Sequence, residues 1–260
     1  MRWANQQKII KMISTQQDDN MLLLKLDHSK TNAINLDLVK ALTQTIQEVK
    51  TDPEITSLVL TSTSDKFFSI GFDIPTLINL SRSEFENFYL AFNLMCLDLY
   101  TLPKPTFAAI TGHAIAGGTI LALCCDYRFI ARGRKLMGLN EIKLGVPVPF
   151  LADCVLHSIV GSRAAQEIME RGEFFNPDQA RQLNLVDQIL PAEDLLPTVI
   201  EEAKILGSSP TSAFAMIKQN RVEMIEDRVR KNMKRKADYF ISCWYSPAGR
   251  ELLRMAMEKF

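Results

Sequence analysis

The stretch that decides the fold runs from Gly112 to Phe129, "GHAIAGGTILALCCDYRF". Gly117 and Gly118 stand side by side at the opening of an apolar segment with helical character. Glycine is the weakest ordinary helix former, roughly 1 kcal/mol below alanine, and the chain has only 11 glycines. Two of them at a helix start point to a backbone that something must approach closely. Upstream lies "PTFAAIT" (105–111), a short apolar strand, and downstream lies "YRFIA" (127–131), another. The segment reads as strand, glycine turn, helix, strand.

The same alternation extends in both directions. "KIIKMIS" (8–14) and "MLLLKLDHS" (21–29) read as paired strands. "NLDLVKALTQTIQEVKTD" (35–52) reads as a helix, with Leu38, Leu42, Ile46 and Val49 at three- and four-residue steps. "ITSLVLTST" (55–63) is a strand, "DKFFSIGFDIPTL" (65–77) a glycine-containing loop, and "RSEFENFYLAFNLMCLDLYTLP" (82–103) a helix closed by Pro103. Further on, "RAAQEIMERGEFF" (163–175) and "NPDQARQLNL" (176–185) read as helices, the second with Asn176 as N-cap and Pro177 behind it. "VDQILP" (186–191) is a short strand. From Leu195 the pattern is helical and charged, broken at "GSSPTS" and "YSPAG". Short apolar strands alternating with helices indicate a sheet covered on both faces, an α/β architecture. The expected division is a core over residues 1–194 and a helical region over 195–260, with no internal sequence repeat.

Composition narrows the function. The 260 residues include 30 Lys and Arg against 30 Asp and Glu, so no basic excess points to nucleic acid or an anionic membrane as main partner. No run reaches the ~18 apolar residues a membrane helix needs. Cys96, Cys124, Cys125, Cys154 and Cys243 have no metal-ligand spacing and are odd in number, which predicts reduced, mostly buried thiols and no bound metal. His28, His113 and His157 are scattered, with no HExxH or Ser/His/Asp order. The N-terminal "MRWANQQKIIKMIS" is too polar for a secretory signal, although its cations without acids leave room for an organelle presequence.

Two glycine turns share one construction: Ser69-Ile70-Gly71-Phe72-Asp73 and Ala116-Gly117-Gly118-Thr119. Each follows a strand and precedes a helix, where main-chain N–H groups lack internal partners and the helix dipole favours negative charge. One N–H from each turn, converging on one oxygen, would form an oxyanion hole. Close helix–strand packing also selects small residues, so either turn alone is weak evidence. Neither matches GxGxxG or GxxxxGK[ST].

Taken together, "FFSIGFDI" (67–74), "PKPTFAAITGHAIAGGTILALCCDYRFIA" (103–131), "GLNEIKLGVP" (138–147) and "NPDQARQLNLVDQILP" (176–191) resemble the crotonase superfamily, the enoyl-CoA hydratase/isomerase fold. The resemblance covers residues 8–260. It implies a spiral of βα repeats with a C-terminal helical trimerisation region, assembled as a homotrimer or a hexamer. It implies an acyl-CoA thioester as substrate, with coenzyme A entering as part of the substrate and no separate cofactor. The thioester oxygen would meet the N–H groups of Ile70 and Gly117, among substrate-binding residues Ser69, Ile70, Gly71, Phe72, Asp73, Gly117, Ile120 and Asn140. The compartment implied is cytoplasmic, or the mitochondrial or peroxisomal matrix in a eukaryote.

Hydratases of this family are similar to one another in using two glutamates. The first position here is Ile120, and an aliphatic side chain can neither hold nor split water. The second is filled by Glu141, given one residue of slack in "RGRKLMG". "GLNEIKLGVPVPF", in which Asn140 precedes Glu141, resembles the mitochondrial-type Δ3,Δ2-enoyl-CoA isomerases. The expected reaction is therefore a double-bond shift, with Glu141 moving a proton from C2 to C4 and Ile120 excluding water. Hydration, hydrolysis, decarboxylation and a silent CoA-binding protein stand as alternatives. Ile70 is bulkier than the Ala or Ser usual at its place. Asp73 and Asp126 read as structural, His113 as a packed histidine, and the six cations in "RVRKNMKRK" (228–236) as a solvated face or a contact to CoA phosphates.

Overall fold

The computed structural model describes residues 7–10 and 12–258. The polar residues 1–6, which belong to the presequence reading, lie outside the described residues. The main sheet begins with antiparallel strands β1 (Gln7–Ile10), β2 (Met12–Asp18) and β3 (Met21–Asp27). It continues in parallel with β4 (Ser57–Ser62), β6 (Thr106–Ile110), β8 (Tyr127–Ala131) and β10 (Gln188–Leu190). A second, parallel sheet holds three very short strands, β5 (Phe67–Ser69), β7 (His113–Ile115) and β9 (Met137–Gly138).

The two sheets explain how the chain spirals. Each turn lays one strand in the large sheet, the next in the small sheet, and then a helix. β4 and β5 lead to α2 (Ile74–Leu77) and α3 (Arg82–Tyr100), and β6 and β7 lead to α4 (Gly117–Leu123). β8 and β9 lead to α5 (Phe150–Arg171), and after α6 (Pro177–Gln182) β10 leads to α7 (Ala192–Gly207). The repeat unit is thus two strands and a helix. Both glycine turns leave the small sheet rather than the large strands to which the sequence pattern attached them. Strands of three residues carry too little periodicity to be read.

Local chemistry sets the helix ends. Asn35 caps α1 (Leu36–Thr51) by accepting from the Leu38 amide, and Ser81 forms a capping box with Glu84 at α3. Asn176 does the same with Gln179 at α6, as expected from Asn-Pro. Helix α5 begins at Phe150, well before the expected Arg163, and its regular geometry breaks at Gly161 (φ 79°). That break hides the first half from a periodicity reading.

Both faces of the large sheet are covered. On one side lies the main core, with α1, α3, α4, α5 and the long α8 (Thr211–Trp244). On the other, Leu195, Val199 and Ala203 of α7 pack on Met21, Leu23, Val59, Phe107 and Phe129. Buried apolar surface of this kind is the main favourable contribution to folding. The charged C-terminal region is helical, as expected: α7, α8 and α9 (Pro247–Met257), separated at Ser208–Pro210 and Tyr245–Ser246. No helix of the described residues is long and apolar enough to cross a membrane. All five cysteines are free, four of them buried.

Candidate active site

The two glycine turns touch. A Cβ added to Gly71 (φ +87°) would lie 2.8 Å from the Gly117 nitrogen, and one added to Gly118 would lie 2.2 Å from the Ser69 carbonyl oxygen. Gly118 is therefore required by packing, and Gly117 sits where both readings of the glycine pair apply. Ala116, just before α4, holds φ 48° and ψ −116°, a conformation that costs a non-glycine residue of order 1–3 kcal/mol. Thr119 fixes this turn. Its hydroxyl lies 2.7 Å from the Ala114 carbonyl and 2.9 Å from that of Gly138, and accepts from the Gly138 amide at 3.0 Å. One side chain thus ties the α4 turn to the strand that leads into Asn140 and Glu141.

The first turn is pinned from the other side. Ser69 Oγ donates to the Asn32 carbonyl at 2.7 Å and accepts from the Gly71 amide at 3.2 Å. Asn32, itself buried, donates to Ser62 Oγ and to the Phe68 carbonyl. Gly117 N–H, at the first position of α4, has no acceptor among the described residues. Ile70 N–H does have one: it donates to the Thr31 carbonyl at 3.2 Å. The expectation that both turn amides lack internal partners is corrected here for Ile70. Its partner lies 39 positions upstream, on a loop that turn chemistry alone does not bring into view.

A cavity of about 490 Å³ opens in front of these turns. Ile70, Phe72, Gly117, Ile120, Asn140 and Glu141 line it. Ser69, Gly71 and Asp73 are not among the residues that line it. Asp73 caps α2, accepting from the Thr76 amide at 3.3 Å and from its hydroxyl at 2.8 Å, so the turn-forming reading is the right one. His113 is on the wall, and its Nδ1 accepts from the Leu136 amide at 3.1 Å. Burial, then Lys135 and Lys66, lower its pKa and favour the neutral ring.

Glu141 opens a short 3₁₀ turn, Glu141–Leu144, and is 5 % exposed. Its Oε2 is buried with no hydrogen-bond partner among the described residues, as is the Oδ1 of the preceding residue, Asn140. Burial pushes the carboxyl up to about 7, only partly offset by a bond to its own backbone amide. It is the one carboxylate among the cavity-wall residues, and Ile120 is 1 % exposed. A group balanced between acid and base at neutral pH is what proton transfer requires.

Sequence reasoning missed the rest of the wall. Phe240 and Trp244 from α8, and Leu252, Met255 and Ala256 from α9, close the cavity. Their spacing was the available signal: apolar residues at i, i+4 and i, i+3, i+4 inside an otherwise charged region. Helix α9 also backs the Glu141 turn, since a Cβ on Gly145 would meet Gly249 Cα at 3.0 Å. The basic stretch lies elsewhere. Arg230 pairs with Glu226 at 2.7 Å, Arg228 and Lys236 lie over the Phe150 ring, and none of the six cations lines the cavity. No cluster of metal-ligating side chains occurs among the described residues.

A free main-chain amide, a strained turn and one carboxyl tuned to neutrality define a site for moving protons beside a carbonyl group. The family model described as enoyl-CoA hydratase/isomerase matches residues 16–259, and the chain belongs to that family. It is 29% identical over 248 residues to the crotonyl-CoA hydratase of Syntrophomonas wolfei subsp. wolfei, covering 95% of each chain. It is 27% identical over 238 residues to the human mitochondrial enoyl-CoA delta isomerase 1, covering 91% of this chain and 79% of the relative. The crystal structure of human mitochondrial Δ3,Δ2-enoyl-CoA isomerase superposes with a TM-score of 0.92 at 26% identity, covering 96% of this chain and 98% of that one.

Proposed function

We propose that this chain shifts the double bond of a 3-enoyl-CoA to give 2-trans-enoyl-CoA. The carrying observation is the lone carboxylate: Glu141 stands in a mostly apolar wall that it shares with Ile120, the residue at the position where the resemblance puts a hydratase's other glutamate. Glu141, ionised, takes a proton from C2. The thioester oxygen gains negative charge as the dienolate forms, and Gly117 N–H stabilises it. Ile70 N–H joins by leaving Thr31. Its present bond is longer than the ~2.9–3.0 Å typical of N–H···O contacts, and a charged oxygen is the stronger acceptor. Glu141, now neutral, returns the proton to C4. The Asn140 oxygen offers an acceptor for the protonated carboxyl in between.

Ser69, Gly71 and Asp73 act by shaping the first turn rather than by touching substrate. Coenzyme A arrives as part of the substrate, and assembly as a homotrimer or hexamer is part of the same reading. A second reading, hydration of a 2-enoyl-CoA, draws support from the similarity to a crotonyl-CoA hydratase. One pair of assays separates them. Isomerisation predicts that 3-hexenoyl-CoA gains the absorbance of the conjugated ester and that Glu141→Gln loses this. Rapid loss of that absorbance from 2-hexenoyl-CoA, with little isomerisation, overturns it in favour of hydration.

A further inference from the structure

Phe72 stands on the boundary between the cavity and an aromatic cluster of the core. It lines the cavity and is partly buried. Its ring meets Phe88 and Phe92 edge-on, each at 4.9 Å between centroids, and Tyr89 at 6.5 Å. Those three are buried side chains of α3 and are not among the residues that line the cavity. The Phe72 ring therefore separates the open space from closed core.

The ring is held where it is. Aromatic pairs at these separations attract in edge-to-face geometry. The main chain on either side is tied to Ile34, whose amide donates to the Gly71 carbonyl at 2.7 Å and whose carbonyl accepts from the Asp73 amide at 3.0 Å. Exposure gives its place along the cavity. Leu136, Phe174 and Met255 are exposed lining residues and mark the mouth. The charged phosphates of coenzyme A stay in water there. Phe240 and Trp244 are buried lining residues, and Phe72 lies 6.4 Å from each ring. The uncharged acyl group takes this buried end.

We propose that Phe72 sets the longest acyl group this protein takes, its ring stopping the tail from passing between the first glycine turn and α3. The proposal rests on the acyl-CoA reading above and names the acyl class within it, short and medium chains. A cavity of about 490 Å³ lies in the lower half of the roughly 300–1,000 Å³ range of small-molecule sites. Up to the stop, each added methylene gains burial. Beyond it, the tail must displace a packed ring or fold back on itself.

The test is calorimetric binding of saturated thioesters to the intact protein, from hexanoyl- to tetradecanoyl-CoA in two-carbon steps, each below its micelle-forming concentration. None has a double bond to shift, so affinity is read without turnover. Wild-type affinity is expected to rise with length to a break and to fall about tenfold at the step beyond it. Phe72→Leu and Phe72→Ala remove bulk and are expected to move the break to longer chains, Phe72→Ala by at least one step. Thermal unfolding shows which variants fold, and Phe72→Leu, the milder truncation, carries the test if Phe72→Ala does not. An unbroken rise across the series in the wild type, or a break that stays at the same length in the folded truncations, overturns the proposal and leaves the acyl-CoA reading intact. Failure of the whole series to bind rejects that reading and this one with it.

Discussion

Two carboxylates in this protein have side chains withdrawn from water and opposite surroundings. The Asp126 side chain, 5 % exposed, accepts from the Thr106 amide and hydroxyl at 2.9 Å each and pairs with Lys218 at 2.7 Å and with Arg221. Glu141, 5 % exposed as a whole residue, has no ion pair among the described residues and leaves an oxygen unpaired. Asp126 spends its charge on holding α8 against the starts of β6 and β8, since Lys218 also donates to the Lys104 carbonyl. Glu141 keeps its charge available. Burial alone does not mark a functional acid; burial without partners does.

The sharpest way to break this contrast is to neutralise each acid. Glu141→Gln is expected to cut turnover by roughly 10²–10⁴-fold, with the unfolding midpoint unchanged or raised. A clear loss of stability there would place Glu141 with Asp126 as a structural group. Asp126→Asn leaves the Lys218 cation buried without its counter-charge and is expected to cost about 3–5 kcal/mol in denaturant unfolding. The pKa of Lys218 is already lowered, by desolvation first.

The pH dependence separates the two acids again. The Glu141 carboxyl moves from an ordinary 4.5 to about 7 on folding. Between those values the folded protein holds a proton that the unfolded chain has released. Stability therefore falls as pH rises through this window, by about 3 kcal/mol in all, while turnover rises with the ionised base. Denaturant midpoints and rates across the window measure both, and Glu141→Gln is expected to remove the Glu141 contribution to the stability slope.

Smaller effects sharpen the picture. Ile120→Glu places a second carboxylate on the wall, and isomerisation is expected to drop about tenfold as hydration of 2-enoyl-CoA appears. Product analysis decides this. Asp73→Ala is expected to lose only about 1 kcal/mol, the size of an N-cap, and Asp73→Asn to lose a few tenths or less. A loss of turnover in Asp73→Asn as large as that in Glu141→Gln would make Asp73 an acid of the reaction.

The sequence made the alternation of strands and helices legible because Leu38, Leu42, Ile46 and Val49, or Asn176 and Pro177, act within a few residues of one another. The candidate site was legible where chemistry is local: Gly117 at a helix start, with Glu141 and Ile120 in motifs whose residues reach the same cavity. It was illegible where distant segments meet. Thr31 meets Ile70 and Lys218 meets Asp126, neither of which spacing can announce, and the spacing of Phe240 and Trp244 marks an apolar face without saying which cavity it reaches. Strand β7 was missed because three residues have no period, and the first half of α5 because Gly161 interrupts it.

The cavity wall begins at Phe67 and ends at Ala256. During synthesis, the sheet, the glycine turns and Glu141 emerge well before the two helices that roof them. A nascent chain that ends before α8 lacks that part of the wall, and its carboxyl is expected to keep a more ordinary affinity for protons. The cavity wall is complete only when α8 and α9 have emerged, so the proposed activity is expected late in translation.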